Sequence, residues 1–147
     1  MQVVTIFIQN NQKKLLIQKR SKSKGGKYGI TSGHTLENET GKQGAIREAK
    51  EELGIDIKEQ ELKQIFKTKI NEITYNLYYL EKEIKLQELI LQQEEVEWIG
   101  WYTIKEIKQL IQNNKFYEKQ VEAFKIFEEY IKRRDFNYGN NSSMGYK

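Results

Sequence analysis

The chain has 147 residues, of which 37% are hydrophobic and 31% charged. That length supports one domain around one core, and no run approaches the ~18–20 apolar residues needed to cross a bilayer. There is no cysteine and a single histidine, His34, which excludes disulfides, thiolate catalysis, Cys-based zinc or iron–sulfur sites and His-rich metal centres, and leaves oxygen ligands suited to magnesium or manganese. The net charge of +4 would attract polyphosphates or nucleic acid, although a Lys/Glu-rich solvated surface accounts for it equally. The N-terminal MQVVTIFIQNN lacks the basic start and long apolar run of a secretory signal, so the expected location is the cytoplasm.

Residues 3–8 (VVTIFI) and 14–20 (KLLIQKR) read as strands, joined by a hairpin loop at Asn10, Asn11 and Gln12. The basic, glycine-bearing segment from Ser21 to Gly29 reads as a mobile loop, and residues 28–33 as a short extended piece ending at Gly33. A helix is expected from about Thr40 to Leu53, opened by a Thr40/Gln43 capping box and closed by Gly54. Residues 62–70 and 73–81 read as two strands, residues 84–94 as a loop carrying at most a short strand, and residues 95–102 as a further strand. Thr103 and Glu106 open a helix to about Ile111. A last helix is expected from Lys115 to Arg134, with Tyr117, Val121, Phe124, Phe127 and Ile131 as its buried stripe. One domain over 1–134 and a flexible tail over 135–147 complete the organisation. Strands and helices follow no regular βαβ alternation, which favours an α/β fold with a mixed sheet packed between helices.

The chemistry concentrates in residues 33–55, GHTLENETGKQGAIREAKEELGI. On a wheel of 100° per residue with Glu48 at zero, Glu52 lies at about 40°, Glu51 at about −60° and Arg47 at about −100°. Three carboxylates therefore share one face beside a guanidinium, while Ala45, Ile46, Ala49 and Leu53 form an apolar face. Neighbours three and four apart on a helix have Cβ atoms ~5–6 Å apart. Carboxylates so crowded repel, and a divalent cation reverses that repulsion. Magnesium takes a few carboxylates and completes its shell with water and substrate phosphate.

This stretch resembles the Nudix box, G-x5-E-x7-R-E-U-x-E-E-x-G-U, where U is in most members a bulky aliphatic. Gly33, Glu39, Arg47, Glu48, Glu51, Glu52, Gly54 and Ile55 fill its positions, and only Ala49 departs, being smaller than usual. The resemblance implies a Nudix-like α/β/α sandwich and Mg2+- or Mn2+-dependent hydrolysis of a diphosphate bond in a nucleoside diphosphate linked to another moiety. It further implies that Glu48, Glu51 and Glu52 bind metal or act in catalysis, that Arg47 orients them, that Glu39 supports the loop or coordinates through water, and that a backbone carbonyl near Gly33 is a further ligand. In this family the general base is either a box glutamate or one from a later loop; Glu48 is the first choice here, with Glu94 or Glu95 as the later-loop alternative.

Outside the box, Arg20 is expected to meet substrate phosphate because it ends a strand pointing toward Gly33, whereas Lys22, Lys24 and Lys27 read more simply as solvated. His34 is expected to stabilise the loop by a hydrogen bond. Tyr75, Tyr78 and Tyr79 serve either base stacking or sheet packing. The expected partner is a small phosphorylated substrate, with no membrane and, for want of an RNA-binding motif beside the basic Ser21–Lys27 and Lys132–Arg134 segments, no nucleic acid; many relatives of this kind form homodimers. The alternatives are a catalytically silent nucleotide or ADP-ribose-binding regulator, and a protein like isopentenyl-diphosphate isomerase, which the absence of cysteine disfavours.

Overall fold

The computed structural model describes the backbone of residues 1–145 and the side chains of residues 1–136. Its strands are β1 (Gln2–Gln9), β2 (Leu15–Arg20), β3 (Tyr28–Gly29), β4 (Thr31–His34), β5 (Lys63–Ile70), β6 (Ile73–Glu81) and β7 (Val96–Tyr102). The helices are α1 (Gly41–Leu53), α2 (Ile104–Gln112) and α3 (Val121–Gly145). β1 runs parallel to β6 along its whole length, while the other pairings between these strands are antiparallel: β1 with β2 and β4, β2 with β3 and β7, β5 with β6. The sheet is mixed, as expected.

Alternation along β1 explains the two layers. Val4, Ile6 and Ile8 face α1, packing with Ala45, Ala49, Leu53, Tyr78 and Leu80. Phe7 points to the opposite face and joins Leu77, Tyr79, Ile107 of α2 and Phe124 and Phe127 of α3. A strand buried on both faces needs this near-continuous apolar run, and the result is an α/β/α sandwich.

Three segments differ from their sequence reading. The last helix begins at Val121 rather than Lys115, because Tyr28 donates its N–H to the Lys115 carbonyl and Tyr117 donates to the Tyr28 carbonyl, extending residues 115–117 alongside β3. Tyr117 thus leaves the helical stripe and lies under the Arg20 guanidinium, 3.9 Å from its ring centroid. At its other end α3 continues past the expected stop at Arg134 to Gly145. The expected mobile loop after β2 is a 3-10 turn (Lys22–Lys24) with Gly25 and Gly26 in the left-handed region. It is tied down where Ser21 donates its backbone N–H to the Glu95 carbonyl and its hydroxyl to the Glu94 carbonyl.

The loop between β6 and β7 carries a 3-10 turn at Leu86–Glu88 and no strand. Its backbone is satisfied by the frayed carbonyls of α1, with Ile90 N–H on the Leu53 carbonyl and Gln92 N–H on the Glu52 carbonyl. That pairing brings the loop carrying Glu95 to the end of α1.

Candidate active site

α1 starts and stops where its sequence dictates. Thr40 accepts from the Gln43 N–H while the Gln43 side chain accepts from the Thr40 N–H, and Gly54 closes the helix at φ 73°. Before it, the loop from β4 is organised by Arg47. Its guanidinium donates twice to Glu39, at 2.8 and 3.1 Å, once to the His34 carbonyl at 2.8 Å, and through one terminal nitrogen to Glu48 at 2.9 Å and Glu51 at 3.0 Å. Glu39 also accepts the Leu36 N–H at 2.8 Å. The Arg47 hydrogen bond, then the Leu36 amide, hold the Glu39 carboxyl below its usual range, and the hydrogen bond to Glu39, with that to Glu48, raises Arg47 above its own. Glu39 thus serves the loop, and it is the backbone of His34, not its imidazole, that makes the stabilising hydrogen bond.

Glu52 is the buried carboxyl of the site, 5% exposed. The Gln18 amide donates to it at 3.0 Å, and Thr31 donates to the carbonyl oxygen of that amide at 3.0 Å. Glu52 also meets the Glu48 carboxyl directly. Burial, followed by the Glu48 contact, pushes its pKa up to about 9 from the ordinary 4.5, against the opposing pull of Gln18. In the metal-free protein the folded state therefore holds a proton that the unfolded chain has released. That contribution to stability is full below the unfolded carboxyl pKa and is lost as pH rises toward about 9. Thermal melts in chelator are expected to show the midpoint falling from pH 5 to pH 9, and saturating Mg2+ to flatten the decline; a midpoint rising with pH over that window would mean that Glu52 is ionised in the resting protein.

Gly33 lies against Glu48, so that a Cβ at this position would overlap the Glu48 carboxyl. Because the obstacle is the end of a flexible side chain, Gly33→Ala is expected to displace Glu48 at little cost in stability. A melting midpoint within a few degrees of wild type, with at least a tenfold loss of activity, is the outcome to look for, and full activity would show that the close approach is dispensable.

The three box glutamates are not equivalent. Glu48 and Glu52 meet, whereas Glu51 is half exposed and turned to Arg47. Among the described residues no three His, Cys, Asp or Glu side chains form a metal cage. The donor chemistry fits a hydrated cation instead: two carboxylates in contact, one of them buried, are a pair that a hard dication relieves, and magnesium keeps several of its waters.

Glu48, Glu51 and Glu52 line a cleft of about 1050 Å3, large enough for a nucleotide-sized ligand. Arg20, Lys24, Gln92 and Glu95 line the same cleft. Lys24 pairs with Glu95 at 3.4 Å. Arg20 donates to the Lys24 carbonyl at 3.1 Å and stacks on Tyr117. Glu94 is exposed and does not line the cleft, so of the two later-loop acids only Glu95 is brought to the site. Lys22 also stays outside, and Lys27 is spent on Glu118 at 3.0 Å. The cleft is also lined by apolar side chains of the sheet, Val3, Phe66, Ile70, Ile73, Tyr75 and Leu77. Of the three tyrosines only Tyr75 faces it; Tyr78 is buried against α1, and Tyr79 is buried on the α3 side with its hydroxyl held by Gln9 and Arg134. The sequence reading overlooked Gln18 and Thr31. The available signal was a polar residue at a core-facing position, since Gln18 shares its strand face with the buried Leu16.

The family model of the NUDIX domain matches residues 1–124. An uncharacterized Nudix hydrolase of Listeria monocytogenes is 36% identical over 118 residues, which are 78% of this chain and 70% of that protein. Among solved structures, DR0079 from Deinococcus radiodurans superposes with a TM-score of 0.72 at 21% identity, covering 84% of this chain and 80% of that one. The NUDIX domain of Shewanella oneidensis NrtR, complexed with ADP ribose, superposes with a TM-score of 0.69 at 15% identity, covering 89% and 88%. No helix among the described residues is long and apolar enough to cross a membrane.

Proposed function

The chain belongs to the Nudix hydrolase family, and on that premise we propose that it hydrolyses, with Mg2+ or Mn2+, the diphosphate bond of a nucleoside diphosphate linked to another moiety. Nudix enzymes are generally pyrophosphohydrolases dependent on a divalent metal. The observation that carries the finer reading is that the Glu48–Glu52 pair and apolar sheet residues including Tyr75 line one cleft. A nucleotide has the matching parts, a charged diphosphate and a planar base.

In this reading Glu48 and Glu52 would hold the cation, the Gly33 carbonyl would be a further oxygen ligand, and Glu51 is kept nearby by Arg47. The bound ion supplies Lewis-acid polarisation of a phosphoryl oxygen and acidification of water. Arg47 keeps Glu48 and Glu51 from drifting apart under their own repulsion. Arg20 and Lys24 meet the phosphates, with Arg20 braced on the Tyr117 ring. A carboxylate committed to a cation is a poor base, so Glu95 takes the proton of the attacking water, once substrate phosphate has drawn Lys24 away from it.

The test is a substrate panel with Mg2+ and Mn2+: oxidised nucleoside triphosphates, ADP-ribose and other nucleotide sugars, with products resolved by ion-exchange chromatography. A nucleoside monophosphate plus a phosphorylated second product, lost in chelator, is expected. Glu95→Gln is expected to lower kcat about 10²–10⁴-fold without weakening metal binding. Tight ADP-ribose binding with no turnover at any metal concentration would overturn the reading in favour of a silent regulator.

A further inference from the structure

We propose that Gln18 is a positioning residue for the cation site, its amide oriented by Thr31 and in turn fixing the carboxyl of Glu52. The inference rests on the reading that Glu52 holds the cation.

Gln18, Thr31 and Glu52 are all buried, at 6%, 1% and 5% exposure. Gln18 stands inside the sheet, opposite Gly29 of β3 on one side and Ile99 of β7 on the other, so its backbone has little freedom to move. A Thr hydroxyl that donates must meet the carbonyl oxygen of the amide, because the NH2 group offers no acceptor. An ionised Glu52 only accepts, so it takes Nε2 of Gln18, and the Thr31 hydroxyl then holds that orientation by donating to Oε1 of Gln18. A neutral donor on one oxygen fixes the plane in which the Glu52 carboxyl meets Glu48, and neutralises nothing that a cation needs. Packing alone would be served as well by leucine, since Gln18 shares its strand face with Leu16 in the α1 core. The position carries an amide instead, and its two hydrogen bonds lead from the β4 strand to the carboxyl. Residues that hold a metal ligand by hydrogen bonding typically change metal affinity by 10–100-fold when removed.

The experiment titrates Mn2+ alone, without substrate, into wild type, Gln18→Leu, Thr31→Val, the double variant and Glu52→Gln, reading free Mn2+ by EPR; fold is checked by far-UV circular dichroism and a cooperative melt. Gln18→Leu is expected to bind Mn2+ at least tenfold more weakly. Thr31→Val, which keeps the side-chain volume, is expected to weaken binding by a smaller factor. The double variant is expected to match Gln18→Leu, because the hydroxyl acts only through the amide. In turnover with an accepted substrate, the Mg2+ concentration for half-activation rises while kcat at saturating Mg2+ stays within a few-fold. A folded Gln18→Leu with wild-type Mn2+ affinity overturns the inference, as does a double variant whose losses add. If Gln18→Leu does not fold, Thr31→Val decides alone, and unchanged affinity there overturns it. Wild-type protein that binds no Mn2+, or Glu52→Gln that binds it unchanged, removes the underlying reading of Glu52 instead.

Discussion

Glu52→Gln is expected to abolish hydrolysis while leaving the metal-free protein at least as stable as wild type. The first half follows if Glu52 is a cation ligand, as proposed: losing a bound dication would remove several kcal/mol of charge stabilisation in the transition state, and ~4 kcal/mol is about a 10³-fold fall in rate. The second half follows from burial. At 5% exposure the wild-type carboxyl holds its proton up to about pH 9, so above the ordinary carboxyl range folding carries the cost of keeping it neutral or desolvating its charge. A glutamine has the same shape and no charge. Its carbonyl accepts from Gln18, and its NH2 donates to Glu48. The stability gap between variant and wild type should open above about pH 5 and widen toward pH 9, in chelator, as read by the melting midpoint. An opposite result, with the variant several degrees less stable at pH 8, would show that the resting protein holds Glu52 ionised and well paired. Both results together would be the stability–activity conflict expected of the proposed cation site.

Much of this site was legible in the sequence because it lies on one helix. The 3.6-residue period places Ala45, Ala49 and Leu53 in the core and Glu48, Glu51 and Glu52 on the flank without any knowledge of the rest of the fold. The capping box at Thr40 and the left-handed Gly54 are likewise local, and both are found as read. The wheel could not show that the three glutamates differ. That difference comes from what each meets across the chain: Gln18 from 34 positions away buries Glu52's partner in the sheet, while Glu51 meets only solvent and Arg47. The choice between Glu94 and Glu95 was also out of reach, since both lie in a turn whose course depends on distant contacts, among them those of Ser21 with both carbonyls. The start of α3 failed for a related reason. A helical stripe counted through Tyr117 is correct in period, but hydrogen bonds from Tyr28, 89 positions earlier than Tyr117, hold that segment extended.

Arg47 is where the fold and the site meet, and its removal is expected to damage both. Its side chain is 22% exposed and its partners Glu39 and Glu48 are 13% and 17% exposed, so solvent screens these pairs only partly. In Arg47→Ala, Glu39 retains the Leu36 amide but loses two hydrogen bonds, the His34 carbonyl loses its donor, and Glu48 faces Glu51 with no cation between them. Breaking a buried ion pair costs about 3–5 kcal/mol, and surface pairs about 0–1. This half-buried cluster falls between, at roughly 2–3 kcal/mol, or a drop of about 10 °C in melting midpoint for a domain of this size. Arg47→Lys keeps the charge but not the fork: one ammonium cannot reach Glu39 in two places, the His34 carbonyl, Glu48 and Glu51 together. It is expected to recover less than half of the lost stability. The activity of both variants should fall at least a hundredfold, and saturating Mg2+ should restore part of the melting midpoint in Arg47→Ala by taking over the repulsion between the glutamates. If Arg47→Lys matches wild type in midpoint and in turnover, charge alone is sufficient and the bidentate geometry at Glu39 is without consequence.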